Sequence, residues 1–435
     1  MQDLIVSSSR YWFAGIIAFY CWFSFMGASM HREKARAKIY ILQNVLMFLL
    51  HLSGFLVIYI IQDDIRYVIL YFIQFVFLFV IVMVYDVLYP KASRLLINNM
   101  CTLMSIGFII IARLDFDRCL KQTVLAAIGA IFTFFVPWML KRFRNFRNFG
   151  YLYAAVGFAS LVAVLFSNKV FGANLNITIG PVSIQPSEFV KIIYIMFVAS
   201  MFNYSTKFTQ SFITTVIAAA HIIVLVLSND LGSALIFAVV YLMLLYIATQ
   251  NAGYLVLGTG VGAAASVAAY KLFAHVRTRI TIWRDPFKTV TTSGYQICQS
   301  LFAIGAGGWI GTGLYKGMPE KVPVAVKDMI FSAITEEFGV IFAVGLLLIC
   351  LNNLILMMNI ASRCNTLFYR LVACGIGVTY AFQVFLTVGG CMNMIPLTGV
   401  TLPFVSYGGS SVISSLFMFG MINGMYNMRE EEPSK

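Results

Sequence analysis

Charge is what this chain has least of. Of its 435 residues only 11% are Asp, Glu, Lys or Arg, while 60% are apolar. A soluble domain carries about 25% charged residues, and a chain long enough for two or three such domains could not cover its surface with so few. A soluble enzyme and a disordered tail are both excluded. Histidine is scarce and scattered, at His31, His51, His221 and His275. No protein-ligated zinc site is expected from them. The eight cysteines (Cys21, Cys101, Cys119, Cys298, Cys350, Cys364, Cys374 and Cys391) form no CxxC pair and mostly fall in apolar runs. That excludes a disulfide framework and reads them as small buried hydrophobes. The first apolar run, Tyr11 to Ala28, lacks a basic leader and a small-residue cleavage site, so no cleavable signal peptide is expected.

Long apolar runs are what the chain has instead. A bilayer core of about 30 Å needs roughly 20 apolar residues per helix. That ruler predicts an all-α, polytopic membrane bundle of about 13 helices, near 11–29, 39–61, 67–88, 95–112, 122–140, 149–167, 187–204, 211–228, 231–248, 252–272, 329–358, 371–391 and 410–427. The formal net charge of +13 does not point to nucleic acid, because basic excess in membrane proteins gathers in cytoplasmic loops. One set of alternate loops holds Arg32, Lys34, Arg36, Lys38, Lys91, Arg94, Lys141, Arg142, Arg144, Arg147, Lys207, Arg363, Arg370, Arg429 and Lys435. The opposite short loops hold only Arg10, Arg66, Arg113, Arg118, Lys121 and Lys169. The asymmetry predicts an outer N-terminus, a cytoplasmic C-terminus and a long extracytoplasmic loop over 273–328.

With only 17 carboxylates, the search for a general base is short. With those near the inner face set aside, and Asp3, Asp63 and Asp64 in short outer segments near the N-terminus that have no polar neighbourhood, nine remain, all on the outer side or in the outer half of the membrane: Asp115, Asp117, Glu188, Asp230, Asp285, Glu320, Asp328, Glu336 and Glu337. An acid within a span is costly and marks a candidate site by default. Glu188 follows Pro186 and Ser187 in a helix's first turn, three residues from Lys191; the two either form a structural ion pair or line a site. Asp230 opens the next outward-facing turn, and an N-cap role alone would explain it. Asp328 precedes Met329-Ile330-Phe331, where the long loop enters the bilayer. It shares a helix side with Ser332, Thr335 and Glu336. Such a stripe faces the bundle interior or a watered cleft, or else caps the helix and is solvated. Two glycine-rich stretches, Gly305 to Gly313 and Ser406-Tyr407-Gly408-Gly409-Ser410-Ser411, do not meet the dinucleotide-loop spacing. They suggest re-entrant or tightly turning backbone where a ligand or helix comes close.

Taken in order, the motifs resemble the SEDS family (shape, elongation, division and sporulation) of RodA, FtsW and SpoVE type. The matching pieces are Arg113-Leu114-Asp115, Gln185-Pro186-Ser187-Glu188 with Lys191, Asp230-Leu231-Gly232, Trp283-Arg284-Asp285-Pro286 and Gly294-Tyr295-Gln296. Gly305 to Gly313, Asp328 to Phe331, Glu336-Glu337-Phe338-Gly339, and Pro396 to Ser411 complete the set. The chain departs from the family pattern at Val326-Lys327, at Asn229 and at Thr387. The resemblance implies a ten-helix core over 95–428, three extra helices in 1–94, and a short cytoplasmic tail, 429–435. A partner-docking surface is one hypothesis for 1–94.

The resemblance further implies a peptidoglycan glycosyltransferase of the bacterial plasma membrane. It would polymerise lipid II on the outer face beside a class B penicillin-binding protein. Asp328 stands at the family's essential acid and is expected to be the general base, held ionised by Lys327 and the helix N-terminus. Lys191, Glu188, Arg113, Arg284, Asp230, Gln296, Ser406 and Ser410 are the expected substrate contacts. Lys191, Arg113 and Arg284 are the cations that would steady the departing diphosphate. No motif holds a metal, although a divalent cation such as Mg2+ or Mn2+ would serve the same end. A lipid II flippase and a silent scaffold for the transpeptidase are the rival readings.

Overall fold

The computed structural model describes residues 2–30, 32–166, 176–179 and 182–431. His31, Lys169 and residues 432–435 of the predicted tail lie outside them. Fifteen α-helices are described: α1 (Gln2–Ser29), α2 (Glu33–Gln62), α3 (Ile65–Leu88), α4 (Arg94–Leu114), α5 (Phe116–Arg142), α6 (Gly150–Leu165), α7 (Pro186–Tyr204) and α8 (Phe208–Leu227). The order continues with α9 (Leu231–Thr249), α10 (Ala252–Leu272), α11 (Ala274–Arg284), α12 (Tyr295–Gly307), α13 (Ile330–Ser362), α14 (Leu367–Cys391) and α15 (Gly409–Glu431). The fold is all-α apart from one small antiparallel hairpin of β1 (Ile177–Ile179) and β2 (Val182–Ile184), with Ile177 opposite Ile184.

A helix answers to each of the 13 predicted segments. Ten of them among the described residues are long and apolar enough to cross a membrane: α1 to α5, α8 to α10, α13 and α14. The other three differ for identifiable reasons. At 16 residues, α6 rises only about 24 Å. The 19 residues of α7 include Glu188 and Lys191, and α15 is rich in Ser, Gly and Asn. The long loop is not featureless either, since α11 and α12 form within it.

The chain divides into two compact units. The first comprises Met1–Ala130, Arg279–Leu356 and Val384–Val412. At its centre is α4, whose membrane window is entirely buried. Four polar residues of α4 (Asn98, Asn99, Thr102 and Ser105) are buried, and they find partners rather than lipid. Asn99 Nδ2 donates to Asn352 Oδ1 at 2.9 Å and to Asn353 Oδ1 at 3.0 Å on α13. Its Oδ1 accepts from Tyr20 and Ser24 of α1. Residues 1–94 therefore pack into the same unit as the segments that follow. The Phe13 and Phe338 rings meet edge to face at 4.8 Å, and Cys21 Sγ donates to Gly345 O.

Within this unit α13 is broken at Gly339, whose φ of +86° is open to glycine. The break frees backbone groups that the predicted glycine-rich segment satisfies. Thr312 N–H and Gly313 N–H donate to Glu336 O and Glu337 O, while Val340 N–H and Ile341 N–H donate to Gly308 O and Trp309 O. Irregular backbone at membrane depth is tolerated only with such replacements. A Cβ at Gly311 would lie 2.3 Å from Glu337 O, so the approach itself requires glycine.

The second unit comprises Ile131–Thr278, Met357–Gln383 and Ile413–Lys435. The proline at N1 starts α7, and its buried side packs on α6, α8 and α9. Gly375 of α14 lets Ile195 of α7 and Leu244 of α9 approach closely. By contrast, no residue of α10 is buried.

Candidate active site

Asp328 lies in the first unit, two residues ahead of α13. The three carbonyls leading up to its side chain are all tied down. Val326 O accepts from Tyr407 N–H at 2.7 Å, Lys327 O from Ser406 Oγ at 2.6 Å, and Asp328 O from Cys391 Sγ at 3.1 Å. Ser406 Oγ in turn accepts from Leu402 N–H. Both polar ends of Gln122, on α5, go to the same loop, through Ser406 O and Gly408 N–H.

The carboxylate is treated differently from the backbone. Asp328 Oδ1 is buried and has no hydrogen-bond partner. Among the described residues its side chain takes neither the Ile330 nor the Phe331 N–H, the amides that a capping Asp328 would engage. The capping alternative is thus not the geometry adopted. Ser332 meets Ser300 at 2.7 Å, and Ser300 also donates to Cys391 O. Thr335 Oγ1 returns to Phe331 O, and Glu336 Oε1 accepts from Met318 N–H. The stripe faces protein, as an intramembrane polar stripe must.

Burial dominates the titration of Asp328. It pushes the carboxyl up to about 6, against the downward pull of its own backbone amide, Lys327 and Arg279. Lys327 acts in the expected direction, although burial outweighs it. At pH 7 a group of pKa about 6 is still roughly nine-tenths ionised. It is a stronger base than an exposed aspartate, and ready to accept a proton.

The other expected residues fall into separate groups. On α4, Arg113 spends its guanidinium on Glu337 Oε1 at 3.0 Å and Glu320 Oε2 at 3.3 Å, and lies 4.1 Å over the Tyr315 ring. The same Glu337 oxygen accepts from Tyr315 N–H. Arg284 ends α11 exposed, with no ion-pair partner among the described residues, beside an Asp285–Lys288 pair. Gln296 is half-buried on α12. Ser406 is buried and engaged as described, and Ser410 lies in the first turn of α15, part-buried.

Glu188, Lys191 and Asp230 belong to the second unit. Lys191 Nζ pairs with Glu188 Oε2 and also donates to Gln383 Oε1 at 3.0 Å. Ser414 Oγ donates to the same Glu188 oxygen at 2.9 Å. Asp230 caps α9 by accepting from Ser233 N–H, and its other oxygen takes Ser187 Oγ–H at 3.0 Å. Burial still holds the Asp230 carboxyl above its ordinary value. The ion pair and the cap are both formed.

Sequence reasoning missed Gln122, Cys391, Gln383 and Ser414. Each is a neutral side chain in an apolar helix, and only the chain's return path brings it to its partner. Among the described residues no three His, Cys, Asp or Glu side chains converge on a space for a metal. A divalent cation would need ligands from substrate phosphates, and no step is derived through one.

A bundle with ten helices, among the described residues, long and apolar enough to cross a membrane is a multi-pass membrane protein. The family model described as cell cycle protein, covering FtsW, RodA and SpoVE, matches residues 95–431, and the chain belongs to this family. It is 32% identical over 363 residues to the peptidoglycan glycosyltransferase RodA of Mycobacterium tuberculosis, covering 77% of each chain. It is 31% identical over 314 residues to the stage V sporulation protein E of Bacillus subtilis, covering 69% of this chain and 85% of the relative. The crystal structure of the Thermus thermophilus rod shape determining protein RodA shares the fold, with a TM-score of 0.59 at 21% identity over 79% of this chain and 99% of that one. A chain of a peptidoglycan synthase complex superposes with a TM-score of 0.69 at 23% identity, over 78% of this chain and 99% of the other.

Proposed function

We propose that this chain polymerises lipid II with Asp328 as its general base. Its glycosyltransferase activity follows from family membership and the names of its relatives. The observation that carries the assignment to Asp328 is the buried Oδ1 left without a partner on a backbone fixed at three successive carbonyls. A buried acceptor left unmatched costs stability, and a site that keeps one has a use for it.

In this reading Asp328 takes the proton of the acceptor's 4-hydroxyl, directly or through one water. The freed oxygen attacks the donor's anomeric carbon and inverts it, and the bond to undecaprenyl diphosphate breaks. Charge grows on the departing diphosphate, where cations stabilise the transition state most. Arg284 suits that role, since no carboxylate among the described residues neutralises it, while Arg113 is committed to Glu337 and Glu320. Lys191 retains a neutral partner in Gln383 and could exchange it for an anionic oxygen. Gln296 and Ser410 would contact the sugars. Ser406 would act through the backbone that it holds. The active centre faces outward, as the loop charges predict, and a class B penicillin-binding protein crosslinks the product.

The test is reconstitution of the full chain, with its cognate transpeptidase, on fluorescent lipid II. Glycan polymer from the native chain and none from Asp328→Asn is expected. Polymer from the folded variant would overturn the assignment. Transbilayer movement of lipid II without polymer from either would favour the flippase.

A further inference from the structure

We propose that Gln122 of α5 is a positioning residue for Asp328, acting through the loop over 401–408. The inference rests on the reading of Asp328 as the base. Gln122 is only 1% exposed, and one side-chain amide serves two backbone groups of the loop. Its Nε2–H donates to Ser406 O at 3.0 Å, and its Oε1 accepts from Gly408 N–H at 3.1 Å. The residues so clamped are those that grip the approach to Asp328: Ser406 Oγ holds Lys327 O and Tyr407 N–H holds Val326 O. From α5 to the backbone of Val326 and Lys327, just ahead of Asp328, the path is therefore a run of hydrogen bonds between 2.6 and 3.1 Å.

The loop needs an outside clamp. Phe404 has a φ of +65°, left-handed backbone that a bulky side chain adopts only when its surroundings over-determine it. One wall is Gly107 of α4, where a Cβ would come within 2.6 Å of Val405 O. Gln122 is the other, and it is directional. A packed methylene could fill its volume, but could not fix where the Ser406 hydroxyl points. A misplacement of about 1 Å at a reacting group can cost about 100-fold in rate.

The test uses full-length protein with its transpeptidase and fluorescent lipid II, with kcat and KM measured across the acid limb. Gln122→Met keeps the length of the side chain and removes both bonds. Gln122→Glu keeps the acceptor and sets a carboxylate against Ser406 O. The control is Gln74→Met on α3, another buried glutamine, which donates to Thr123 Oγ1 at 2.8 Å and not to the loop.

The expected result for Gln122→Met is a kcat about 10- to 100-fold lower with KM changed less than about threefold. Its acid limb should also lie lower than the native one, as water reaches a carboxyl now ringed only by Lys327, Arg279 and the Cys391 thiol. Gln122→Glu should regain activity relative to Gln122→Met as its own carboxyl protonates and donates again. Gln74→Met should lower thermal stability without moving the limb. Native kcat in Gln122→Met, or a loss with an unmoved limb matched by Gln74→Met, would overturn the positioning role. Activity in Asp328→Asn would instead overturn the base.

Discussion

An acid that accepts no hydrogen bond on one buried oxygen is unstable where it sits, and Asp328 should show this in two measurements. Activity requires the ionised form, so kcat should fall as pH drops through about 6, by about tenfold per unit below it. An ordinary aspartate would hold its rate about two units further into acid. Stability runs the other way. A folded-state pKa raised above the unfolded value means that the folded protein gains by binding the proton. The charged residue therefore weakens the fold at neutral pH, and protonation restores it. Asp328→Asn, inactive, should accordingly melt at or above the native temperature by fluorescence-detected size exclusion. A clear drop would mean that the carboxylate has a structural partner after all. The position of Asp328 was readable from sequence, since the chain has only 17 acids and nine remain once those near the predicted inner face and the N-terminus are set aside. Its environment was not, because it comes from Ser406, Cys391 and Gln122, residues that are far along the chain or carry no charge to draw notice.

Helices α1, α4 and α13 form a second test, at the level of elements. Asn99 sits among Tyr20, Ser24, Asn352 and Asn353, all buried. Deleting residues 1–94 would leave those amides facing lipid, where each unmatched polar group costs several kcal/mol. The truncated chain should fail to yield a monodisperse peak, and Asn99→Leu should lower the melting temperature without abolishing insertion. A truncation that folds and polymerises normally would show that α1 is an accessory. Glu337→Ala belongs to the same level. It removes the buried one of the two carboxylates paired with Arg113, whose side chain is 10% exposed against 0% for Glu337 and 60% for Glu320. The expected cost is about 3–5 kcal/mol, with the turn over 308–316 loosened before α13. The helices themselves were legible from apolar runs. The break at Gly339 was only half legible: glycine at 305–313 predicted re-entrant backbone, but nothing in the 330–362 run marks where α13 accepts it. The strands Ile177–Ile179 and Val182–Ile184, of 3 residues each, and the helices at 274–284 and 295–307, of 11 and 13 residues, are too short to register against runs of membrane length.

For the whole molecule, the open matter is which face of the membrane holds which loop, and the chain's cysteines offer a clean way to measure it. All eight are buried and none is in a disulfide, so a membrane-impermeant maleimide should leave the native protein unlabelled in intact cells. Two single substitutions then report the sides. Lys288 lies in the long loop with a side chain 80% exposed, and Lys34 is exposed in the first turn of α2. The asymmetry of the basic loops predicts Lys34 in the cytoplasm, with the loop that leads to Asp328 outside. Lys288→Cys should therefore label in intact cells, and Lys34→Cys only after the membrane is opened. The consequence reaches the chemistry, since an outward Asp328 can meet only lipid II that has already crossed the bilayer. The enzyme then polymerises what another activity delivers. Labelling of Lys34→Cys in sealed cells, with Lys288→Cys protected, would invert the bundle and put the carboxylate on the side where the lipid carrier is loaded.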